Sequence, residues 1–214
     1  TTGHTITAAT FNDAKTVTFS GDEQLTVTNL AAASAASIDA SAMTDKFVMG
    51  NAFTGGGIQL VQGGSADDTL ISNGIAGSTI QGNGGADTIT LGTAGTAEIV
   101  KYAAASDSSL SAFDKIATFV TAEDKIDITA FSFTSSQAVA VSKGALTAVN
   151  PGEAASANFF DDSGVDRGVV FGTNGGNTYA YVDANKDGNF SAADDMVIEF
   201  TGIVNVAASD FTFA

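Results

Sequence analysis

One stretch of the sequence carries oxygen-bearing side chains at the spacing of a calcium-binding loop. Asp183, Asn185 and Asp187 occupy alternate positions, and Gly188 follows where the loop must turn sharply. In a twelve-residue calcium loop, such side chains surround one ion together with a carbonyl at the seventh position and an acidic residue at the twelfth. The further predicted ligands are the carbonyl of Asn189 and the side chains of Ser191 and Asp194. The pattern predicts a calcium site, and the alternative is an Asx-rich hairpin turn without a metal.

Two glycine-aspartate turns are a second candidate. Residues 63–71 and 82–90 both fit the nine-residue pattern G-G-x-G-x-D-x-U-x, in which a turn precedes a three-residue strand. Two such units complete one coil, so turns about 18 residues apart share an edge. The predicted ligands of one ion between the stacked turns are Gly63, Ser65, Asp68, Gly82, Gly84 and Asp87. Plain Gly-Asp loops are the alternative. Residues 72–81 lack the aspartate, so we expect the opposite edge to be free of metal.

The other acidic residues are weaker candidates. Asp161, Asp162 and Asp166 form a third acidic turn that fits no ligand spacing cleanly, and they are either metal ligands or part of a solvated turn. A further group of carboxylates is expected to lie in turns or at strand ends rather than to bind metal: Asp107, Asp114, Asp124 and Asp127.

Composition excludes several classes of function. The 24 Asp and Glu against 8 Lys and Arg give a formal net charge of -16, so nucleic acid and anionic membrane surfaces are disfavoured partners. The chain has no cysteine and one histidine, which removes zinc centres, thiol nucleophiles, iron-sulfur clusters and a Ser-His-Asp triad. We therefore expect no enzyme activity.

The elements that position these motifs are short strands. Period-two alternation recurs at nearly regular spacing through the first hundred residues, as in a coiled parallel solenoid. After Val100 the strands become longer and are separated by turn clusters. We predict an all-β fold: a parallel β-roll or β-solenoid followed by an antiparallel or mixed β unit. The predicted ranges are 1–62 for strand repeats, 63–100 for the calcium-roll turns and 101–214 for the last unit. Residues 30–36 are interpreted as a loop or one helical turn, and 150–160 as a short helix.

Several segments resemble the carboxyl-terminal region of serralysin-type and other RTX proteins. They are residues 82–90, 102–108, 113–119 and 123–131 and the closing Asp210–Phe211 segment. The resemblance implies export by type I secretion through an uncleaved carboxyl-terminal signal, and folding outside the cell when calcium fills the roll. Residues 25–30 and 37–44 look like the strand repeats of RTX-related bacterial surface-layer proteins and adhesins. No H-E-x-x-H is present, so protease activity does not carry over.

These observations and the resemblance lead to one expectation of function. The chain is expected to be a calcium-binding structural segment of an exported bacterial surface-layer protein on the extracellular cell surface. Its expected partners are other copies in a surface lattice and the type I secretion machinery, with no nucleic acid and no membrane insertion. The alternatives are the non-catalytic carboxyl-terminal segment of a secreted RTX hydrolase, or an adhesin.

Overall fold

The computed structural model describes residues 3–11, 15–32, 37–51, 59–149 and 158–213. The strands in the first part are β1 (His4–Ile6), β2 (Ala9–Phe11), β3 (Thr16–Gly21), β4 (Leu25–Val27), β5 (Leu30–Ala32), β6 (Ser37–Met43), β7 (Phe47–Met49), β8 (Leu60–Gln62), β9 (Thr69–Ile71), β10 (Thr79–Gln81), β11 (Thr88–Thr90) and β12 (Ile99–Lys101). They are followed by β13 (Asp114–Ala117), β14 (Lys125–Asp127), β15 (Ala140–Ala145), β16 (Val169–Asn174), β17 (Asn177–Val182), β18 (Met196–Thr201) and β19 (Phe211–Thr212). Short 3-10 turns cover Ala105–Asp107, Thr129–Phe131 and Ala208–Asp210. Within the described ranges, no helix has the length and apolar character needed to cross a membrane.

The chain coils between two parallel sheets. One sheet contains β1, β4, β7, β9, β11 and β13 in that order, and the other contains β3, β6, β8, β10, β12, β14 and β19. Neighbouring coils pair in register, with Thr88 opposite Thr69 and Ile89 opposite Leu70. Equivalent residues of successive coils therefore lie directly beside each other, which is the arrangement of a parallel β-roll.

The apolar core lies between these two sheets. In strands β8 to β12 and in β14 the middle residue points inward, and Ile80, Val100 and Ile126 of one sheet face Leu70 and Ile89 of the other, all completely buried. In β7 the two end residues, Phe47 and Met49, are buried instead. Burial of each such side chain contributes about 1.5–3 kcal/mol. Three-residue strands are unstable alone, so the stacked coils are stable because they share this core.

The last unit continues the first sheet. Strand β18 pairs in parallel with β13, and β17 and β16 follow as antiparallel neighbours before β15 closes the edge. The β16–β17 hairpin turns at Gly175 and Gly176, whose φ angles of 60° and 87° match a two-residue turn that requires left-handed backbone. Alternate residues of these strands face away from the roll core and form a second apolar cluster with Phe159, Phe160 and Phe190.

The predicted all-β fold, with parallel coils followed by a mixed unit, is confirmed. The division into three ranges remains a prediction, and both sheets run across residue 100 through the pairs β11–β13 and β12–β14. The loop or helical turn expected from residue 30 is wrong over Leu30–Ala32, because β2 offers β5 a parallel partner in register. Residues 33–36 and most of the predicted 150–160 helix lie outside the described residues.

Candidate metal centre

Three aspartates form a column along one edge of the roll. Asp68 and Asp87 directly precede β9 and β11, and Asp114 is the first residue of β13. These strands are neighbours that pair in register, so the aspartates occupy equivalent positions in successive coils. Each has at most 1% of its surface exposed. We call Asp68, Asp87 and Asp114 the aspartate column.

Backbone amides connect the members of the aspartate column. The amide of Asp68 donates to Asp87 Oδ1 at 2.8 Å, and the amide of Asp87 donates to Asp114 Oδ1 at 2.8 Å. At the start of the column, Asp68 accepts from Phe47 N–H on Oδ1 at 2.6 Å and from Gly64 N–H on Oδ2 at 2.5 Å. Among the described residues, the Oδ2 atom of Asp87 is buried and has no hydrogen-bond partner, whereas the buried Asp114 carboxylate interacts with the Tyr102 hydroxyl, which opposes the rise in the pKa of Asp114. Buried anionic oxygens without donors are costly, so this edge is suited to a cation.

Burial raises the pKa of all three carboxyl groups. The pKa of Asp68 rises to about 6, and there the positive charge of Lys46 works against the rise. Burial and the charge of Asp68 raise the pKa of Asp87 to about 7. The pKa of Asp114 lies well above its ordinary value because of burial and the charge of Asp87. Adding a divalent cation with oxygen preference would favour the charged carboxylates and so oppose these shifts.

Glycine is required where the turns meet the column. A Cβ atom on Gly63 would overlap Asp68 Oδ2, and one on Gly82 would overlap Asp87 Oδ2. The structure brings to this edge the six residues predicted from the nonapeptide pattern, Gly63, Ser65, Asp68, Gly82, Gly84 and Asp87. Their role as ligands remains a prediction, since within the described ranges no three acidic, histidine or cysteine side chains already converge as a metal site.

Residues 183–195 form a compact loop between β17 and β18. The amides of Asp187 and Gly188 donate to the two oxygens of Asp183 at 3.2 and 3.1 Å. Asn185 Oδ1 accepts from the Asp187 amide at 3.1 Å, and Asp187 Oδ1 accepts from the Asn189 amide at 2.8 Å. Gly188 has a φ angle of 78°, in the left-handed region that favours glycine. The residues at the first, third, fifth and seventh predicted positions therefore lie around one turn.

Asp195, the residue after the predicted ligand Asp194, also packs against this loop. Asp195 is buried and accepts from the Ala184 amide at 2.9 Å and the Ser191 amide at 2.7 Å. Burial, with a smaller contribution from the charge of Asp183, raises the pKa of Asp195 to about 6. Asp194 is exposed and accepts from Ser191 Oγ at 3.1 Å. The twelve-residue spacing does not include Asp195. This residue is buried because it directly precedes β18, whose pairing with its neighbours turns that position inward. The ligand role of Asp194 stays a prediction.

The chain therefore combines in-register coils, glycine-aspartate turns on one edge and a mixed β unit at the end. The family model described as Peptidase M10 serralysin C terminal matches residues 8–213. The chain belongs to this family. No curated protein matches the sequence. The family is the non-catalytic carboxyl-terminal domain of secreted RTX-type serralysins, and such domains are generally calcium-binding.

In this serralysin C-terminal chain, the opposite edge of the roll carries its own buried carboxylates. Asp124 accepts from the amides of Glu98 at 3.0 Å and Val120 at 2.7 Å, one on each oxygen. Asp210 accepts from the amides of Ala122 at 2.9 Å and Ala207 at 2.8 Å. Backbone donors therefore satisfy both oxygens of each carboxylate. The sequence predicts a turn or strand-end position for Asp124 and assigns no ligand role to Asp210, because no nonapeptide precedes either residue.

The third acidic turn packs against the 183–195 loop. Asp162 forms an ion pair with Arg167, in which Oδ2 and Nη2 are 3.3 Å apart, and Asp161 Oδ1 accepts a hydrogen bond from the Gly164 amide at 3.0 Å. Asp166 differs, because its carboxylate faces the loop: a Cβ atom on Gly188 would lie 2.5 Å from Asp166 Oδ1. The structure thus gives Asp161 and Asp162 partners of their own and places only Asp166 beside the predicted calcium loop. Metal binding by these three residues remains a prediction.

Proposed function

We propose that this chain is a calcium-binding, non-catalytic structural segment of an exported bacterial surface-layer protein, which folds and self-associates outside the cell. The observation that carries the proposal is the aspartate column, whose buried carboxylates lie in successive coils and in which Asp87 Oδ2 has no donor among the described residues. Membership of the serralysin C-terminal family supports calcium binding and export. The proposal that the chain forms a surface lattice is supported by the resemblance of residues 25–30 and 37–44 to surface-layer strand repeats.

Calcium fits the oxygen donors that the chain offers. At the roll edge, Asp68 and Asp87 would hold the ion with glycine carbonyls of the two turns, and at the 183–195 loop the predicted ligands are Asp183, Asn185, Asp187, Asn189, Ser191 and Asp194. When bound, each ion supplies two positive charges and an oxygen-coordinated cross-link between turns. Two carboxylates about 5 Å apart repel by roughly 3 kcal/mol at an effective dielectric constant near 20, and the ion removes that repulsion.

Calcium also supplies the link between export and folding. The formal charge of -16 opposes compaction and the packing of identical chains. Because the folded chain binds calcium and the unfolded chain does not, calcium stabilises the fold by mass action. A low calcium concentration favours the extended chain that the type I secretion machinery exports. Calcium outside the cell shifts the equilibrium toward the folded chain and then drives lattice assembly.

The first experiment tests calcium-dependent folding. The purified chain is stripped of metal and titrated with calcium while circular dichroism records β structure and calorimetry records stoichiometry. We expect calcium, but not an equal concentration of magnesium, to increase the folded fraction and the free energy of unfolding. The variant Asp68→Asn/Asp87→Asn should lose one bound ion, whereas Asp67→Asn, a change at the exposed neighbouring position, should not. Equal folding of all three proteins without calcium would contradict the proposal.

The second experiment tests assembly. Light scattering and electron microscopy follow the chain across the same titration, with magnesium as the control for charge screening. We expect sheets or large particles that appear only with calcium and dissolve when it is chelated. Equal assembly in magnesium would show that screening, rather than coordination, drives association.

The family match favours a second candidate function, the accessory segment of a secreted hydrolase whose catalytic part lies elsewhere in the polypeptide. This candidate shares calcium-dependent folding with the first but requires no lattice. A chain that folds with calcium yet stays monomeric at high concentration would favour it, as would an H-E-x-x-H motif in the full-length protein.

A further inference from the structure

The outer face of the sheet that contains β8, β10, β12 and β14 carries a row of polar side chains. Gln62, Gln81, Lys101 and Asp127 are the last residues of these four strands. The strand register places Gln81 beside Gln62 and Lys101 beside Asp127, and the pairing of β10 with β12 connects the two halves of the row. All four side chains are half-buried, on the side of the sheet that faces away from the roll core. The row has no part in the candidate metal centre.

Lys101 and Asp127 are neighbours of opposite charge that do not pair with each other. Neither side chain forms an ion pair in the part of the chain that the structure describes. Asp127 Oδ1 accepts only a local hydrogen bond, from the Thr129 amide at 3.0 Å. In-register residues of paired strands lie about 4.8 Å apart, so the two charges leave the sheet side by side. They therefore present adjacent positive and negative groups to any partner that covers this face.

The same sheet is balanced in charge, although the molecule is strongly acidic. Its strands carry two lysines and two aspartates, Lys101, Lys125, Asp39 and Asp127, so their formal charges cancel. The whole chain has a formal charge of -16. Because identical acidic molecules repel each other, they approach with least repulsion through a face on which the charges cancel.

We infer that two copies of this chain pack through this face, about a two-fold axis that runs parallel to the strands between β12 and β14. Such an axis places Lys101 of each copy over Asp127 of the other, so the two ion pairs are identical. It also places Ile99 over Lys125 of the second copy, whose aliphatic stem covers it. This inference rests on the proposed self-association of the chain and names the surface that performs it.

A second copy fits this face better than the other partners that a polar sheet face could bind. A neutral polysaccharide would cover Lys101 and Asp127 without supplying an opposite charge to either. A polyanion is repelled by the net charge of -16, and a polycation would repel Lys101. A second copy supplies the opposite charge to both residues at once.

The size of the contact sets its expected strength. Strands β10, β12, β14 and β19 of each copy overlap, and four strands spaced about 4.8 Å apart cover less than the roughly 800 Å² per partner of a stable complex. We therefore expect a weak pairing that becomes effective when it is repeated across a surface lattice.

Charge reversal in mixed samples tests the pairing. Lys101→Glu makes both positions negative and Asp127→Lys makes both positive, so each variant repels its own copies across the two-fold axis. In an equimolar mixture, position 101 of one variant faces an opposite charge at position 127 of the other, and both attractive pairs return. In excess calcium, we expect the protein concentration at which light scattering rises to increase about ten-fold or more for each variant alone. The mixture should recover the wild-type value.

Two kinds of control keep the test independent of net charge and of folding. Lys115→Glu and Asp22→Lys change the net charge by the same amounts at exposed positions outside this sheet, and they should assemble as the wild type does. Lys101→Gln/Asp127→Asn introduces no like charges, so it tests the face without risk to the fold, and it should also assemble only at higher concentration. Urea unfolding followed by circular dichroism measures the stability of every variant.

The results separate the inference from the function on which it rests. Assembly of Lys101→Glu or Lys101→Gln/Asp127→Asn at the wild-type concentration would overturn the inference, as would a mixture that assembles no better than its components. In these cases the self-association of the wild type stands and another surface performs it. A wild-type chain that stays monomeric in calcium would contradict both the self-association and this contact, and would leave the face to another partner such as a polysaccharide.

Discussion

Replacing Asp87 by Asn should stabilise the calcium-free protein and weaken the calcium-bound one. Asp87 lies in the middle of the aspartate column, is 1% exposed and faces the charge of Asp68. Asn removes the buried charge, while its Oδ1 atom still accepts from the Asp68 amide as Asp87 Oδ1 does at 2.8 Å. The same change removes an anionic ligand, so the substitution acts in opposite directions on the two forms.

The size of the effect follows from the pKa of Asp87, which burial raises from 3.8 to about 7. Each pKa unit corresponds to 1.36 kcal/mol, so ionised Asp87 costs the calcium-free fold at most about 4 kcal/mol. Because the folded pKa is raised, the folded state binds more protons. The stability that this carboxyl group contributes is complete below about pH 4 and is lost as the pH rises through about 7. Asn should cancel that loss at pH 8 and have little effect at pH 4.

With calcium at a hundred times its dissociation constant, the wild-type protein gains about 2.7 kcal/mol per site, and Asp87→Asn should lose that gain.

Urea unfolding followed by circular dichroism measures both effects. Wild type, Asp87→Asn and the exposed control Asp67→Asn are compared at pH 4 and pH 8, each with a chelator and with excess calcium. We expect Asp87→Asn to be more stable than wild type only at pH 8 without calcium. The reasoning is refuted if Asp87→Asn lowers the free energy of unfolding equally with and without calcium, since Asp87 would then act only as a hydrogen-bond acceptor.

Three further results are expected. Asp195→Ala should remove the loop ion from a calorimetric titration more completely than Asp194→Ala, because Asp195 is buried and its pKa responds to the charge of Asp183; the reverse order would favour Asp194, the ligand that the sequence spacing predicts. Ile80→Ala, in the core between the sheets, should lower the free energy of unfolding by about 2–5 kcal/mol with or without calcium. Asp124→Asn should leave the calcium stoichiometry unchanged, because Asp124 lies at the roll edge opposite the glycine-aspartate turns and accepts a backbone N–H on each oxygen; a lost equivalent would place an ion at that edge.

The architecture could be predicted from the sequence because its signals are local. Alternation over three residues indicates a strand, and a nonapeptide carries its own turn and its own aspartate. The nonapeptides at 63–71 and 82–90 therefore predict the roll and the stacking of Asp68 on Asp87. These two residues are 19 positions apart in the sequence, and the structure places them in adjacent coils. The 183–195 loop was equally visible, because its candidate ligands lie within a dozen residues of one another.

Only the tertiary structure shows that four further carboxylates are buried at the roll edges or at the 183–195 loop: Asp114, Asp124, Asp195 and Asp210. Coil lengths vary: Asp87 and Asp114 stack although 27 residues separate them, and Thr121 contacts Asp210 across 89 positions. No fixed sequence period predicts that such residues lie side by side. Their positions depend on which strands pair within each sheet. Burial follows from the same pairing. Burial together with the backbone donors at each oxygen distinguishes a satisfied carboxylate such as Asp124 from Asp87, whose Oδ2 atom has no partner among the described residues.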